Sequence, residues 1–188
     1  MFQNDAKIAS KELELTLTGR GKDENRIPMC GIPYHAADNY IPRLVQRGYK
    51  VAICEQVEDA NDSKGITKRE VVKVITPGTL LEQSHLNEKD NNYLLAIYPI
   101  QKSNGFGLSS IDISTGEYTI HICNDSTDVQ SQCERLQAKE ILVPKECDEA
   151  TTKILDQLEA ITTSPYYPVE PKSASEKLLS HFNIQSFS

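Results

Sequence analysis

The stretch "IPMCGIPYHA" (27–36) contains a thiol, Cys30, and an imidazole, His35, close together in sequence. A cysteine nucleophile needs a base within hydrogen-bond reach and a third group that orients the base, while zinc needs four ligands at a recognisable spacing. The remaining cysteines and histidines are scattered singly along the chain. We therefore expect no catalytic or metal site here, but a buried Cys30 and a His35 near the N-cap of the following helix, where its ring bonds the backbone.

Two glycine-containing stretches suggest nucleotide binding at first sight. "GRGK" (19–22) lacks the first glycine of a phosphate-binding loop, and Asp23 stands where such a loop has a serine or threonine. "GFG" (105–107) lacks the third glycine of a dinucleotide-binding turn and is flanked by strand patterns. Neither stretch is a phosphate loop, so no cofactor is expected.

Basic side chains are concentrated in the first part of the chain. Residues 1–77 carry 12 basic and 11 acidic residues, a balance of +1, and residues 78–188 carry 8 and 16, a balance of −8. Two basic segments bracket one α/β unit and contain Arg20, Lys22, Arg26, Lys64, Lys68, Arg69 and Lys73. They are either ordinary solvated charges or phosphate contacts that position a duplex without reading its bases.

Apolar periodicity predicts a small α/β domain over the first half. Its elements are a helix over 2–13, a strand over 13–18, a helix over 37–47, and strands over 49–57 and 69–76. The helix is expected to bury Phe2, and the strand over 49–57 is expected to be buried on both faces because its apolar run is almost continuous.

The second half predicts the succession βββαβαβα, which is the topology of ribonuclease H-like domains. Three strands (94–100, 105–114, 116–123) precede a helix with Val129, a strand (140–144), a helix with Ile154, a strand (161–169) and a final helix. Ser173 and Glu176 have the spacing of a capping box and predict the start of that final helix. The boundary is placed at "TPGT", which gives domains over 1–77 and 78–188.

A ribonuclease H-like pattern raises the hypothesis of a nuclease. Two-metal phosphoryl chemistry needs clustered carboxylates, with one on the first central strand. The strand over 94–100 has no carboxylate, and the neighbouring acids Asp112 and Glu117 flank a turn, where they are expected to be solvated. Nuclease activity is therefore the weaker alternative.

Bulk features exclude several other classes of protein. No apolar run approaches the ~18 residues of a membrane span, and the first residues lack the basic and apolar regions of a secretory signal. Five cysteines without a C-x-x-C pair suit reduced thiols in the cytoplasm.

Several longer stretches of the amino-acid sequence resemble those of one protein family. "DAKIASKELELTLTGRG", "IPMCGIPYHA", "LVQRGYKVAICEQVEDANDSKG" and "REVVKVITPGTL" closely resemble the N-terminal region of the MutS family of bacterial DNA mismatch-repair proteins. "GFGLSSIDISTGEY" resembles the start of the connector domain of that family. The resemblance covers essentially the whole chain and is densest over 5–80.

The resemblance implies a mixed-sheet domain I that enters the minor groove of kinked DNA, followed by a ribonuclease H-like connector, domain II, without nuclease activity. The family acts on mismatched or looped double-stranded DNA as a dimer, recruits MutL partly through the connector, and is cytoplasmic and nucleoid-associated. Its ATPase domain, with ATP and magnesium, has no counterpart here, so this chain is expected not to be an enzyme. The chain resembles an N-terminal fragment, incomplete at both ends.

The resemblance also assigns site residues. The family reads a mismatch with a Phe-x-Glu motif, which is expected immediately before Met1, and Phe2 does not replace it. Arg20 and Arg69 match DNA-contacting positions of the family, while Lys22 and Met29 lie near the same groove. Lys64 and Lys68 are added from the charge pattern. The alternative is a MutL-contacting module with little DNA binding.

Overall fold

A computed structural model of the chain describes residues 1–21, 26–57, 67–80, 91–100, 103–158 and 161–187. Its contacts divide the chain into two compact units. The first comprises Met1–Leu94 with Ile111–Glu117, and the second comprises Leu95–Ser110 with Tyr118–Ser188. The domain boundary expected between residues 77 and 78 stays a prediction.

The first unit contains two helices and two separate β-hairpins. In chain order these are α1 (Gln3–Leu13), β1 (Thr18–Arg20), β2 (Ile27–Met29), α2 (Ala37–Val45), β3 (Val51–Gln56) and β4 (Arg69–Ile75). Strands β1 and β2 pair antiparallel, as do β3 and β4, each pair forming its own two-stranded sheet. The sequence pattern did not predict β2, a strand of only three residues.

Helix α2 joins two small apolar clusters that make the core of this unit. Its Leu44 packs with Ala6, Ala9 and Leu13 of α1 and with Cys30. Its Ile41 and Val45 pack with Ile75 of β4 and with Leu80. Val51 contacts both clusters, so the two hairpins are held by one continuous set of contacts.

The predicted strand over 13–18 is wrong. Leu13 is buried at the end of α1, Glu14 takes a left-handed φ of 57°, and the strand begins at Thr18. Leu13 continues the helical spacing of Ala6 and Ala9, and this period determines its conformation rather than the alternation with later leucines. The burial predicted for Phe2 is also wrong, since this residue is the N-cap of α1 and is 51% exposed.

The burial predicted for both faces of the strand over 49–57 is wrong as well. Ala52 and Cys54 of β3 are exposed, while Val51 and Ile53 are half-buried. A two-stranded hairpin presents one face to the core and leaves the other uncovered. A long apolar run therefore does not by itself imply that both faces are covered.

The second half of the chain has the predicted order βββαβαβα and is ribonuclease H-like. Its elements are β5 (Tyr93–Pro99), β6 (Phe106–Asp112), β7 (Glu117–Cys123), α3 (Ser126–Leu136), β8 (Glu140–Pro144), α4 (Glu149–Gln157), β9 (Thr162–Tyr166) and α5 (Pro171–Phe182). The sheet order is β7-β6-β5-β8-β9, with β8 and β9 parallel.

The sheet and its helices share an apolar core. Leu95 and Ile97 of β5 and Leu108 of β6 are fully buried, as are Val129 of α3 and Ile154 of α4. Side chains at alternate positions of β6 are buried, which is the period-2 pattern of a strand with one covered face. Within the described ranges, no helix is long and apolar enough to cross a membrane.

The final helix does not use the predicted capping box at Ser173 and Glu176. It begins at Pro171, with Glu170 at the N-cap position. Proline has no N–H to leave unsatisfied and its φ is already helical, so the first position of a helix suits it.

Candidate nucleic-acid interface

The hairpin of β1 and β2 carries Arg20 at the last position of its first strand. Thr18 lies opposite Met29 and Arg20 lies opposite Ile27. The Thr18 hydroxyl donates a hydrogen bond of 2.8 Å to the Met29 carbonyl, which supports the short ladder. Arg20 is exposed directly before the loop that closes the hairpin. Lys22 lies two positions further along the sequence, outside the described residues.

Arg26 directly precedes β2, and its side chain lies against Gly19. A Cβ atom placed on Gly19 would be 2.4 Å from Nε and 2.7 Å from Cγ of Arg26. The missing side chain of Gly19 therefore provides the space for the Arg26 side chain. The hairpin thus carries a second exposed guanidinium, although Arg26 was not among the predicted site residues.

Met29 makes its contacts mainly with other residues of the first unit. It is half-buried, its carbonyl accepts the Thr18 hydroxyl, and it forms an isolated antiparallel bridge with Phe2. Part of its side chain remains accessible, so its contact with a duplex stays a prediction.

The hairpin of β3 and β4 carries Arg69 and Lys73. Arg69 lies opposite Gln56 and Lys73 lies opposite Ile53, and a β-bulge interrupts the register between Ile53 and Cys54. Bulges bend a strand and increase its twist, which changes the direction in which neighbouring side chains project. Both basic side chains are exposed.

Lys68 is less available for a phosphate contact than Arg69, the next residue in sequence. Its Nζ atom lies 2.7 Å from Oε1 of Glu70, and the two side chains are 60% and 54% exposed. Such a pair adds little stability, but the carboxylate offsets the charge that a phosphate would meet. Lys64 lies outside the described residues.

Four exposed cations on the two hairpins make no internal polar contact. The side chains of Arg20, Arg26, Arg69 and Lys73 have no ion pair or hydrogen bond within the described part of the chain. Two other arginines of this unit interact with neighbouring side chains. Arg47 pairs with Glu12 at 2.6 Å, and the guanidinium of Arg43 lies 5.7 Å from the ring centroid of Tyr40. We call the four unpaired residues the hairpin cations.

The hairpin cations belong to one compact unit. Helix α1 packs against β2, α2 packs against β3, and the two helices pack against each other. The structure brings Arg20 together with Arg26 on one hairpin and Arg69 together with Lys73 on the other. Basic residues about 50 positions apart in sequence are thereby held in the same compact unit.

Cys30 and His35 do not form a reaction centre. Cys30 is 1% exposed among apolar side chains, as predicted, whereas His35 is exposed in a short 3-10 helix (Tyr34–Ala36). The capping role predicted for His35 is wrong, because α2 has no side-chain hydrogen bond at its N-cap. Next to it, Tyr34 is 91% exposed, and sequence reasoning did not single it out.

Asp112 at the end of β6 and Glu117 at the start of β7 have structural partners. The solvated surface position predicted for Asp112 is wrong, since it is fully buried and accepts hydrogen bonds from the Ser114 N–H at 2.9 Å and hydroxyl at 2.6 Å. Burial raises the pKa of Asp112, but the hydrogen bonds from Ser114 and from the backbone of Asn92 and Thr115 together outweigh burial and hold this pKa below its ordinary value. Glu117 accepts a 2.9 Å bond from the Tyr93 hydroxyl.

These acids do not fit the two-metal centre of a ribonuclease H-like nuclease. Strand β5 contributes no carboxylate, Asp112 is bonded to Ser114 of the turn, and Glu117 is bonded to Tyr93 of β5. In the described residues, no group of three or more His, Cys, Asp or Glu residues could hold a metal ion.

The fold and the hairpin cations together define a two-domain α/β segment, in which a small domain with two basic hairpins precedes a ribonuclease H-like domain. Family models match both parts: MutS domain I over residues 1–84 and MutS domain II over residues 92–188. The chain belongs to the MutS family.

Curated relatives agree with this assignment. The chain is 44% identical to the "DNA mismatch repair protein MutS" of Shouchella clausii over 96% of the chain and 21% of that protein. Identity to the MutS protein of Bacillus pumilus is 46% over 98% of the chain and 21% of the relative, and to that of Desulforamulus reducens 53% over 76% and 17%. The chain therefore spans about a fifth of the length of the relatives that it matches.

A comparison with solved structures adds little. The catalytic core domain of BIV integrase matches with 10% identity and a TM-score of 0.30, covering 47% of this chain and 64% of that one. A likeness at this level carries no argument.

Proposed function

We propose that the chain binds double-stranded DNA through the hairpin cations and serves in mismatch repair as the DNA-contacting part of a MutS protein. The observation that carries this proposal is the presence of four exposed, unpaired cations on two hairpins of one unit. Each such charge can replace a condensed counterion at a phosphate. Arg20 and Arg69 are the principal contacts, with Arg26 and Lys73 beside them.

Met29, Lys22, Lys64 and Lys68 complete the proposed contact set. Met29 is the last residue of β2 in the first hairpin, and Lys22 lies between Arg20 and Arg26 in sequence. Lys68 contributes less than Arg69, because Glu70 offsets its charge. No catalytic step is assigned to this chain, and the ATP chemistry of the family is left to other parts of those proteins.

The proposed binding distinguishes a mismatch only weakly. No phenylalanine of the chain is followed two positions later by glutamate, so the Phe-x-Glu reading motif is absent. Phosphate contacts fix position and orientation but carry no base information. Binding by the chain alone should therefore depend strongly on salt and little on base pairing.

Fluorescence anisotropy with the full 188-residue chain tests this proposal. Labelled duplexes with and without one G·T mismatch are titrated at low and at moderate salt, and affinity should fall steeply as salt increases. The Arg20→Ala, Arg69→Ala double variant should lose roughly tenfold or more in affinity. A matched control is the Lys139→Ala, Lys177→Ala double variant, which removes two exposed charges from the second half. Equal losses in both variants, or a mismatch preference far above about tenfold, would contradict the proposal.

A second proposed function is contact with MutL through the second domain. Residues 78–188 carry a balance of −8, which disfavours phosphate and suits a protein surface. Full-chain binding to immobilised MutL, unchanged by Arg20→Ala with Arg69→Ala, would support it. The absence of binding would refute it and leave the DNA proposal unaffected.

A further inference from the structure

A pocket lies where two strands of the large sheet end. Its lining includes Tyr98 and Pro99 at the end of β5 and Pro144 at the end of β8, and its volume is about 270 Å³. Strands β6 and β7 extend the sheet on one side of β5, while β8 and β9 extend it on the other. Ligands of open α/β sheets bind outside the carboxyl ends of strands at such a reversal of strand order. We call this cavity the strand-end pocket.

Prolines make the frame of the strand-end pocket rigid. Four of its lining residues are prolines, among them Pro99, Pro144 and Pro171. The proline ring restricts φ, so these walls lose little conformational freedom when a ligand binds. Two hydrogen bonds tie the strand ends together: the Tyr166 hydroxyl donates to the Ile97 carbonyl at 3.1 Å, and the Lys145 N–H donates to the Tyr166 carbonyl at 2.8 Å.

The functional groups of the pocket are one aromatic ring and two carboxylates. Tyr98 is 36% exposed, and the side chains of Glu146 and Glu170 have no ion pair or hydrogen bond in the described residues. The adjacent Lys145 is engaged elsewhere, with its Nζ atom 4.5 Å from the ring centroid of Tyr167 and bonded to that hydroxyl. Among the residues that the structure describes, the negative charge of the pocket therefore has no ion-pair partner.

This combination matches a guanidinium group. Arginine is planar, stacks on aromatic rings and donates paired hydrogen bonds to carboxylates, whereas the lysine ammonium is compact and strongly hydrated. The volume is below the range of drug-sized sites and suits a single side chain. An anionic or phosphate-bearing ligand would be repelled by both glutamates.

We propose that the strand-end pocket binds an arginine side chain of a partner protein, with stacking on Tyr98 and pairing to Glu146 and Glu170. The site is independent of the hairpin cations and of the proposed DNA binding. It also does not require MutL to be the partner, because only the chemistry of the side chain is specified.

Titration of the full chain with N-acetyl-arginine amide, followed by the backbone amide signals in NMR, tests the proposal. Shifts should concentrate on residues of the pocket, with a dissociation constant on the order of 1 mM. N-acetyl-citrulline amide has the same shape without the charge and should produce far smaller shifts, and N-acetyl-lysine amide should bind more weakly than the arginine probe.

Variants locate the binding. Glu146→Gln with Glu170→Gln should weaken arginine binding roughly fivefold or more, and Tyr98→Leu should weaken it while leaving the sheet intact. The charge-matched control is Asp156→Asn with Glu176→Gln, two exposed acids outside the pocket. Equal shifts with citrulline, equal or tighter binding of lysine, shifts spread over the surface acids, or equal losses in the control would overturn the proposal.

Discussion

Gly19 and Arg26 occupy one space on the first hairpin, since a Cβ on the glycine would lie 2.4 Å from the arginine Nε atom. Gly19→Val should therefore displace the Arg26 side chain, while a β-branched residue remains compatible with the strand. We expect DNA affinity to fall roughly threefold to tenfold by anisotropy, with little change in thermal stability.

The coupling of the two residues can be measured directly. Arg26→Ala should lose as much affinity as Gly19→Val, and the double variant should lose no more than either one. Gly31→Ala is the matched control, because a Cβ at Gly31 would meet nothing within 4 Å. Additive losses would show that Gly19 does not act through Arg26.

Single phosphate contacts should be visible as changes in salt dependence. Arg20→Ala and Arg69→Ala should each reduce the slope of log K against log salt by about 1, equally for matched and mismatched duplexes. Lys68→Ala should reduce it by less, because Glu70 already lies 2.7 Å from the lysine. A loss restricted to mismatched duplexes would instead indicate base reading by these arginines.

The N-cap of α4 should contribute measurably to stability. Asp148 accepts a 2.8 Å hydrogen bond from the Thr151 N–H, so Asp148→Ala should lower the free energy of unfolding by about 1 kcal/mol. Asp156→Ala, on the same helix and without a partner in the described residues, should change it little. Urea unfolding at neutral pH measures both variants.

The same cap gives a defined pH dependence. The bonds to Thr151 hold the pKa of Asp148 below its ordinary value, so the folded chain keeps this carboxylate ionised to lower pH than the unfolded chain does. The stabilisation is therefore fully present above the unfolded pKa of about 3.9 and is lost as the pH falls through the folded pKa. The difference between the chain and Asp148→Ala should shrink over that range, and a constant difference would contradict the assignment.

Strand β7 is an open edge that should support self-association. Tyr118, Ile120 and Ile122 are all more than half exposed at alternate positions, and the strand has no proline or lysine. The opposite edge, β9, carries Pro165, which cannot extend a ladder. Ile120→Lys should lower the apparent association constant by roughly tenfold in sedimentation experiments. Gln157→Lys, an exposed position on α4, should leave it unchanged.

Local patterns in the sequence determined most of the elements and the family. The three consecutive strands β5 to β7 and the αβαβα succession after them follow from period-2 and period-3.6 spacing, which the backbone geometry imposes wherever one face is buried. Burial of Cys30 followed from its apolar neighbours in the chain. The hairpin residues Arg20 and Arg69 came from the family resemblance, and their DNA contacts stay predictions.

Only the tertiary structure decided which side chains are free to contact solvent or a ligand. Whether Lys68 is paired, whether Arg26 has room across Gly19, and whether Asp112 is solvated each depend on a neighbour that local periodicity does not specify. The same holds for the uncovered faces of β3 and β4, because a strand pattern reports apolarity but not what packs against it. The strand-end pocket is the clearest case: Tyr98, Glu146 and Glu170 belong to three separate segments, and only the reversal of strand order between β5 and β8 brings those segments together.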